Sequence, residues 1–226
     1  MNILSLLKMI QISDSLFPIG SFTLSNGLET FVVQEKLTTT EQLEEYLDNY
    51  IKLLPYNNLG IMMLAYKQAG DKEGIRELDA LSMAIKVPRE VREGTAKLCR
   101  RFLKLWSAIR KYPLLCWYQE EIEQKTCRGD HAVAVGIYAR EIGLQPEEAA
   151  AVYVYNLITA IVTNAVKTVP LSQIDGQRVL NEALEKVSTC VDLANRVTMD
   201  DLGISGTWMD ISAMNHERLY SRLYMS

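Results

Sequence analysis

The fold is decided by TTTEQLEEYLDNYIKLL, Thr38 to Leu54. Its apolar residues Leu43, Tyr46, Leu47, Tyr50, Ile51 and Leu54 recur at the spacing that places them on one face of a 3.6-residue helix. Thr39 is positioned to cap that helix, with Gln42 as the returning partner of a capping box. The same period returns at Leu98, Phe102, Leu105 and Ile109, and again at Leu180, Leu184, Val187, Val191 and Ala194. No alternation of the kind a strand needs competes with it.

Chain breakers sit between the periodic runs. Pro55, Gly70, Gly74, Pro88, Pro113, Gly129, Gly143 and Pro170 fall at or near their ends. In IGLQPEEAAA the restart is explicit: Gly143 stops one helix, Pro146 occupies a first-turn position of the next, and Glu147 and Glu148 favour its positive dipole end. The expected architecture is all-α, a single compact domain over residues 1–226 of about nine to eleven helices, without repeats. One segment, Ala149 to Val166, runs without a charge and reaches the lower edge of a membrane span. Asn156, Thr159, Thr163 and Asn164 lie inside it, so a buried core helix is expected, because polar groups are costly in hydrocarbon.

A net charge of −4 across 226 residues, with 48% hydrophobic and 23% charged residues, describes an ordinary soluble globular composition and supplies no basic field for nucleic acid. The four cysteines, Cys99, Cys116, Cys127 and Cys190, form no C-x-x-C pair. With no signal-peptide pattern, they read as reduced thiols of a cytoplasmic protein.

The catalytic inventory is thin. The only histidines are His131 and His216, and the usual hydrolytic, zinc and nucleotide motifs are missing. Cys127 and His131 could offer two metal ligands from one helix face. Gly129 lies between them, however, and Asp130 is a plausible N-cap, so they read better as flanking a helix start.

Three other regions invite a functional reading. In VPREVREGTAKLCRRFLKLW, Arg89, Glu90, Arg92 and Glu93 fill the first turns of a helix begun at Pro88, either as a solvated face of ion pairs or as a charged docking surface. In NAVKTVPLSQIDGQRVL, Lys167 ends one helix and Ser172 caps the next with Asp175, while Gly176 inside that helix implies close packing. An interhelical polar seam and a partner surface both fit there. At the terminus, NHERLYSRLYMS repeats Arg218 with Arg222, Leu219 with Leu223 and Tyr220 with Tyr224. Tyr and Arg this dense in a terminal segment suggest an anchor for a partner, or docking onto the chain's own body.

The glycine-containing stretch SDSLFPIGSFTLSNGLE, Ser13 to Glu29, allows a phosphate cradle or a close approach of two backbones. With no P-loop lysine after it, Gly20 and Ser21 read as permitting close packing where a helix begins.

Taken together, these blocks resemble the UreF family of urease accessory proteins. IQISDSLFPIGSFTLSNGLE is similar to the family's leading Pro-x-Gly and Ser-x-Gly-Leu-Glu block, and PREVREGTAKLCRRFLKL to its Arg-Glu-x-Arg helix. HAVAVGIYAREIGL, VKTVPLSQIDGQRVL and the closing RLYMS follow in the family's order, from Ile10 to Ser226. Departures are Thr168 where the family usually has Leu, Ser172 where it usually has Gly, and Tyr224 where Phe is common.

The resemblance implies a non-enzymatic, dimeric scaffold and chaperone. It would bind UreD (also called UreH) and recruit the nickel-carrying GTPase UreG for nickel insertion into apo-urease, with nickel handled by the complex and no cofactor bound tightly. It also implies that the C-terminal segment, residues 205–226, becomes ordered against UreD. Arg222, Leu223, Tyr224 and Ser226 are the matching positions, with Tyr220 beside them, and Glu29 and Lys167 match positions associated with the surface facing UreG. Two rival readings are a small helical enzyme with a polar pocket around Lys167, Asn164 and Asp175, in which a buried lysine acts as base, and a metal store on Cys127 and His131.

Overall fold

A computed structural model describes residues 2–23, 25, 27–220 and 222–223. Among them the chain is all-α and folds as one compact domain, with no strand. Its helices are α1 (Ile3–Ser13), α2 (Leu28–Val33), α3 (Thr40–Leu53), α4 (Asn58–Gln68), α5 (Lys72–Ile85), α6 (Arg89–Ile109), α7 (Pro113–Glu123), α8 (His131–Glu141), α9 (Pro146–Thr168), α10 (Gln173–Leu184), α11 (Val187–Ala194) and α12 (Thr207–His216). Eleven of these helices have eight or more residues; α2 is a six-residue piece that no apolar period announces.

The expected signals set the ends. The Thr39 hydroxyl accepts the Gln42 N–H at 3.3 Å while the Gln42 side chain accepts the Thr39 N–H at 3.2 Å, completing the box. Ser172 and Asp175 do the same for α10, and Asp130 caps α8 by accepting the Ala132 N–H at 2.7 Å. Gly143 stops α8 at φ +69°, and Pro146 opens α9.

The centre of the molecule is the crossing of α4 and α8, both buried on nearly every side. A Cβ on Gly136 would stand 2.3 Å from the Met62 carbonyl oxygen, so the two backbones approach as only glycine allows. α9 lies beside this pair and packs on α1, α10 and α11 as well, with 61% of its most apolar window inside the protein. It is the core helix expected of its polar residues. α10 closes onto α9 at Gly176, where an added Cβ would meet Val166 Cγ2 at 2.5 Å. That contact accounts for the helix-interior glycine.

Two further assemblies fix the frame. The rings of Phe102, Trp106, Tyr112 and Tyr138 pack together, Trp106 stacked on Tyr138 at 4.8 Å, and Phe17 joins them at 6.0 Å from Phe102. This pins the loop after α1 along α6. Below it, the Asp79 carboxylate accepts the Tyr118 hydroxyl at 2.5 Å and the N–H groups of Arg128 and Gly129 at 2.6 and 2.9 Å. The loop leading into α8 is thereby folded onto α5. Its next residue, Asp130, is fully buried and pairs with the Lys86 ammonium at 2.6 Å. Burial pushes the Asp79 carboxyl up, whereas at Asp130 the burial penalty is outweighed by Lys86 and the Ala132 N–H, which hold it below the ordinary carboxylate range.

His131 follows, half-buried at the start of α8, with its ring edge-on to Phe102 at 5.7 Å. Burial pushes its imidazole from 6.5 down to about 4, against the pull of Asp130. As pH falls the unfolded chain therefore takes up this proton first, and stability declines between about pH 6.5 and about pH 4. His131→Gln is expected to remove that decline, about 3 kcal/mol, read from denaturant unfolding at the two ends of the range.

Candidate partner interface

The C-terminal segment begins with α12, which packs on α2 and α6. Its seat depends on Gly27, the last residue before α2, held at φ +86° with its Cα against the α12 backbone. A Cβ there would lie 3.0 Å from both the Ala213 nitrogen and the Met209 oxygen. The close approach expected of the glycine-containing stretch thus falls at Gly27; Gly20 supplies a left-handed turn at φ +85° before the 3-10 turn Ser21–Thr23. Thr30 fastens the contact, its hydroxyl donating to the Ser212 carbonyl at 2.8 Å. Gly27→Ala combines a disfavoured φ with a backbone collision. It should cost about 2 kcal/mol of stability, measured by denaturant unfolding.

That approach brings together three ionisable side chains from distant parts of the chain. His216, the last residue of α12, is wholly buried between two carboxylates. Its Nε2 is 2.9 Å from Glu29 Oε2, and its Nδ1 is 2.8 Å from Glu90 Oε2. With each ring nitrogen in hydrogen-bond contact with a carboxylate oxygen, the imidazole ties α12 to α2 and α6. Glu29, only 4% exposed, comes from the first turn of α2, and Glu90 from the first turn of α6. Helix N-termini are where carboxylates are favoured.

The remaining oxygens of these carboxylates hold the tail. Glu29 Oε1 accepts the Leu223 backbone N–H at 2.7 Å, and Glu90 Oε1 accepts from Arg222 Nη1 at 2.8 Å. One residue past His216, Glu217 pairs with Arg89 at 2.8 Å. Among the described residues the tail past α12 is not helical despite its four-residue repeats: α12 ends at His216, and Arg222 and Leu223 are drawn instead onto side chains of α6 and α2. The side chains of Tyr220 and Leu223 point away from the body, Tyr220 fully exposed and Leu223 73% exposed. Backbone and guanidinium fasten the tail, and the Tyr220 and Leu223 side chains remain exposed.

Of the residues singled out from the sequence, Arg222, Leu223 and Glu29 therefore meet in one place, with Tyr220 alongside. Glu29, expected on a surface facing UreG, is buried beneath the tail. Tyr224 and Ser226 lie outside the described residues. Lys167 is exposed on the last turn of α9 and belongs to no part of this cluster. The buried lysine that the enzyme reading required is absent, and Asp175 is engaged by Ser172 and Arg178. Cys127 and His131 flank the start of α8; burial pushes the Cys127 thiol up to about 12, and among the described residues no three His, Cys, Asp or Glu side chains are grouped to hold a metal. His216 was not among the expected site residues, and Glu90 was read only as one of four charges at the start of α6, a solvated face or a docking surface. The signals were present, Glu90 in the Arg-Glu-x-Arg helix and His216 as one of two histidines in the chain, directly before the tail.

Fold and seat define a helical protein whose C-terminal segment is fastened by the carboxylates of Glu29 and Glu90 while Tyr220 and Leu223 stay exposed. A family model described as UreF matches residues 37–184. The urease accessory protein UreF of Actinobacillus pleuropneumoniae serotype 5b (strain L20) is 37% identical over 225 residues, covering 96% of this chain and 97% of that one. UreF of Haemophilus influenzae (strain ATCC 51907) is also 37% identical, covering 96% and 94%, and UreF of Bacillus sp. (strain TB-90) is 33% identical, covering 98% and 99%. The chain belongs to the UreF family of urease accessory proteins.

Proposed function

We propose that this protein is a non-enzymatic cytoplasmic scaffold that binds UreD and recruits the GTPase UreG, so that nickel passes to apo-urease within the assembled complex. The observation that carries the reading is the fastened tail. Arg222 and the Leu223 backbone are held on Glu90 and Glu29, which leaves Tyr220 and Leu223 displayed at the surface. An ordered display of aromatic and apolar side chains lowers the ordering cost of association, and Tyr and Arg dominate binding energy at interfaces. UreD is the partner this surface engages, and the family resemblance adds Tyr224 and Ser226 to the residues that take part. The scaffold acts as a dimer, with Lys167 on the side of UreG.

Nickel is cargo in this reading. A relay between donor and acceptor is hindered by a deep intermediate well, so the scaffold holds its partners in register and binds no cofactor tightly.

Co-purification with UreD and UreG, followed by mass determination with and without GTP, tests the proposal. The expected species contains two copies of this chain with both partners. Failure to form any complex with well-folded partners would reject it.

A further inference from the structure

The tail seat uses only the first turns of α6. There the charges are satisfied within the chain: Arg89 pairs with Glu217, Glu90 binds His216 and Arg222, and Arg92 donates to the carbonyls of Lys86 and Val87. The rest of the helix is different. Between Glu93 and Glu120 the sequence contains no acidic residue, yet it carries Lys97, Arg100, Arg101, Lys104, Arg110 and Lys111, all exposed. The first four fall at i, i+3, i+4 and i+7, one stripe on the outer face of α6, and Arg110 and Lys111 follow directly after the helix end.

Among the described residues, Arg100, Arg101, Lys104, Arg110 and Lys111 form no ion pair. Arg101 donates to the Ile19 carbonyl at 2.9 Å, and Arg110 lies over the Tyr112 ring. The stripe is also flanked by apolar side chains. Ile109 is 59% exposed at its end. Leu16, 87% exposed, stands on the loop that Phe17 and Arg101 fasten against α6.

We propose that this ridge docks an acidic, amphipathic segment of a partner protein, carboxylates along the stripe and apolar side chains against Leu16 and Ile109. The charge balance favours a polypeptide over a polyanion. The chain as a whole carries −4, so outside the ridge it is more acidic still. Beyond a Debye length of about 8 Å an extended nucleic acid or anionic bilayer meets that repulsive remainder, whereas a short acidic segment stays within the local positive field. The apolar flanks are likewise of no use to a phosphate backbone. This proposal is independent of the tail seat and of UreD binding.

The test uses the full chain and a short fluorescein-labelled peptide of Glu and Leu residues, with binding followed by anisotropy at low and physiological salt. The wild type should bind, more weakly as salt rises. Arg100→Glu with Lys104→Glu should weaken binding at least about tenfold, since like charges then face each other, while Lys52→Glu on α3 should leave it unchanged. Leu16→Ser with Ile109→Ser, which changes no charge, should weaken the same peptide without altering its salt dependence. All substituted side chains are exposed, and circular dichroism checks that the helices persist. No binding by the wild type, an unchanged affinity in the charge-reversed variant, or tighter binding of duplex DNA or phosphatidylserine vesicles than of the peptide would overturn the proposal.

Discussion

Deleting residues 217–226 is expected to leave the helical signal of the protein intact and to abolish its binding to UreD. Every helix of the described chain ends at or before His216, so the deletion removes no helical turn and keeps the buried imidazole. It does remove the Leu223 N–H from Glu29, Arg222 from Glu90 and Glu217 from Arg89. It also removes the displayed Tyr220 and Leu223. Titration of UreD against the truncated and intact chains, with circular dichroism of both, separates the two effects. A loss of helicity would show that the tail is part of the core, and unchanged affinity would remove it from the interface. Within the tail, Arg222→Ala should cost about 2 kcal/mol of UreD affinity, because it releases the tail from Glu90 and the displayed side chains must then be ordered on binding.

The second large effect concerns stability. Lys86→Met should lower it by about 3–5 kcal/mol at neutral pH, because it leaves the Asp130 carboxylate buried without its cation. The sign of the pH dependence follows from Asp130. In the native protein its carboxyl titrates below the ordinary 3.8, so its contribution is present above about pH 4 and is lost only as the pH falls further. Without Lys86, burial alone raises the group, and the unfolded chain ionises before the folded one. The penalty of the variant should therefore shrink as the pH is lowered into the carboxylate range. Lys86→Met combined with Asp130→Asn should be the milder variant, since no charge is then stranded and the Asn side-chain oxygen can still accept the Ala132 N–H. Urea unfolding of the three proteins across pH reads all of this.

What was legible in the sequence was mostly local. The period of Leu43 to Leu54, the capping pairs Thr39 with Gln42 and Ser172 with Asp175, and the restart at Pro146 each involve residues within a few turns of one another. They correctly marked α3, α9 and α10. Gly176 was legible for a related reason, because a glycine inside a good helix needs a close neighbour, and Val166 is that neighbour. The short α2 was not, since six residues are too few to show a period. Its start is set by Gly27 and by packing on α12.

The candidate interface was half legible. Arg222, Leu223 and Tyr220 stand out because they are unusual in a terminus, and Glu29 entered through the resemblance of its block. His216 did not, and Glu90 stood out only as one of four charges at a helix start, because what makes the two a site is their meeting. His216 lies 187 residues from Glu29 and 126 from Glu90, and no pattern along the chain encodes such a contact. The same holds for Lys86 and Asp130, separated by 44 residues. A buried charge reads in sequence as an ordinary exposed one until the fold brings its partner to it.

The central claim, that the C-terminal tail fastened on Glu29 and Glu90 is the surface that takes UreD, is tested most directly by hydrogen exchange over residues 217–226 with and without UreD. The account predicts that exchange in this segment slows when UreD binds, and that Arg222→Ala reduces the slowing at the same UreD concentration. Exchange that is the same in the free chain and in the UreD complex would contradict it.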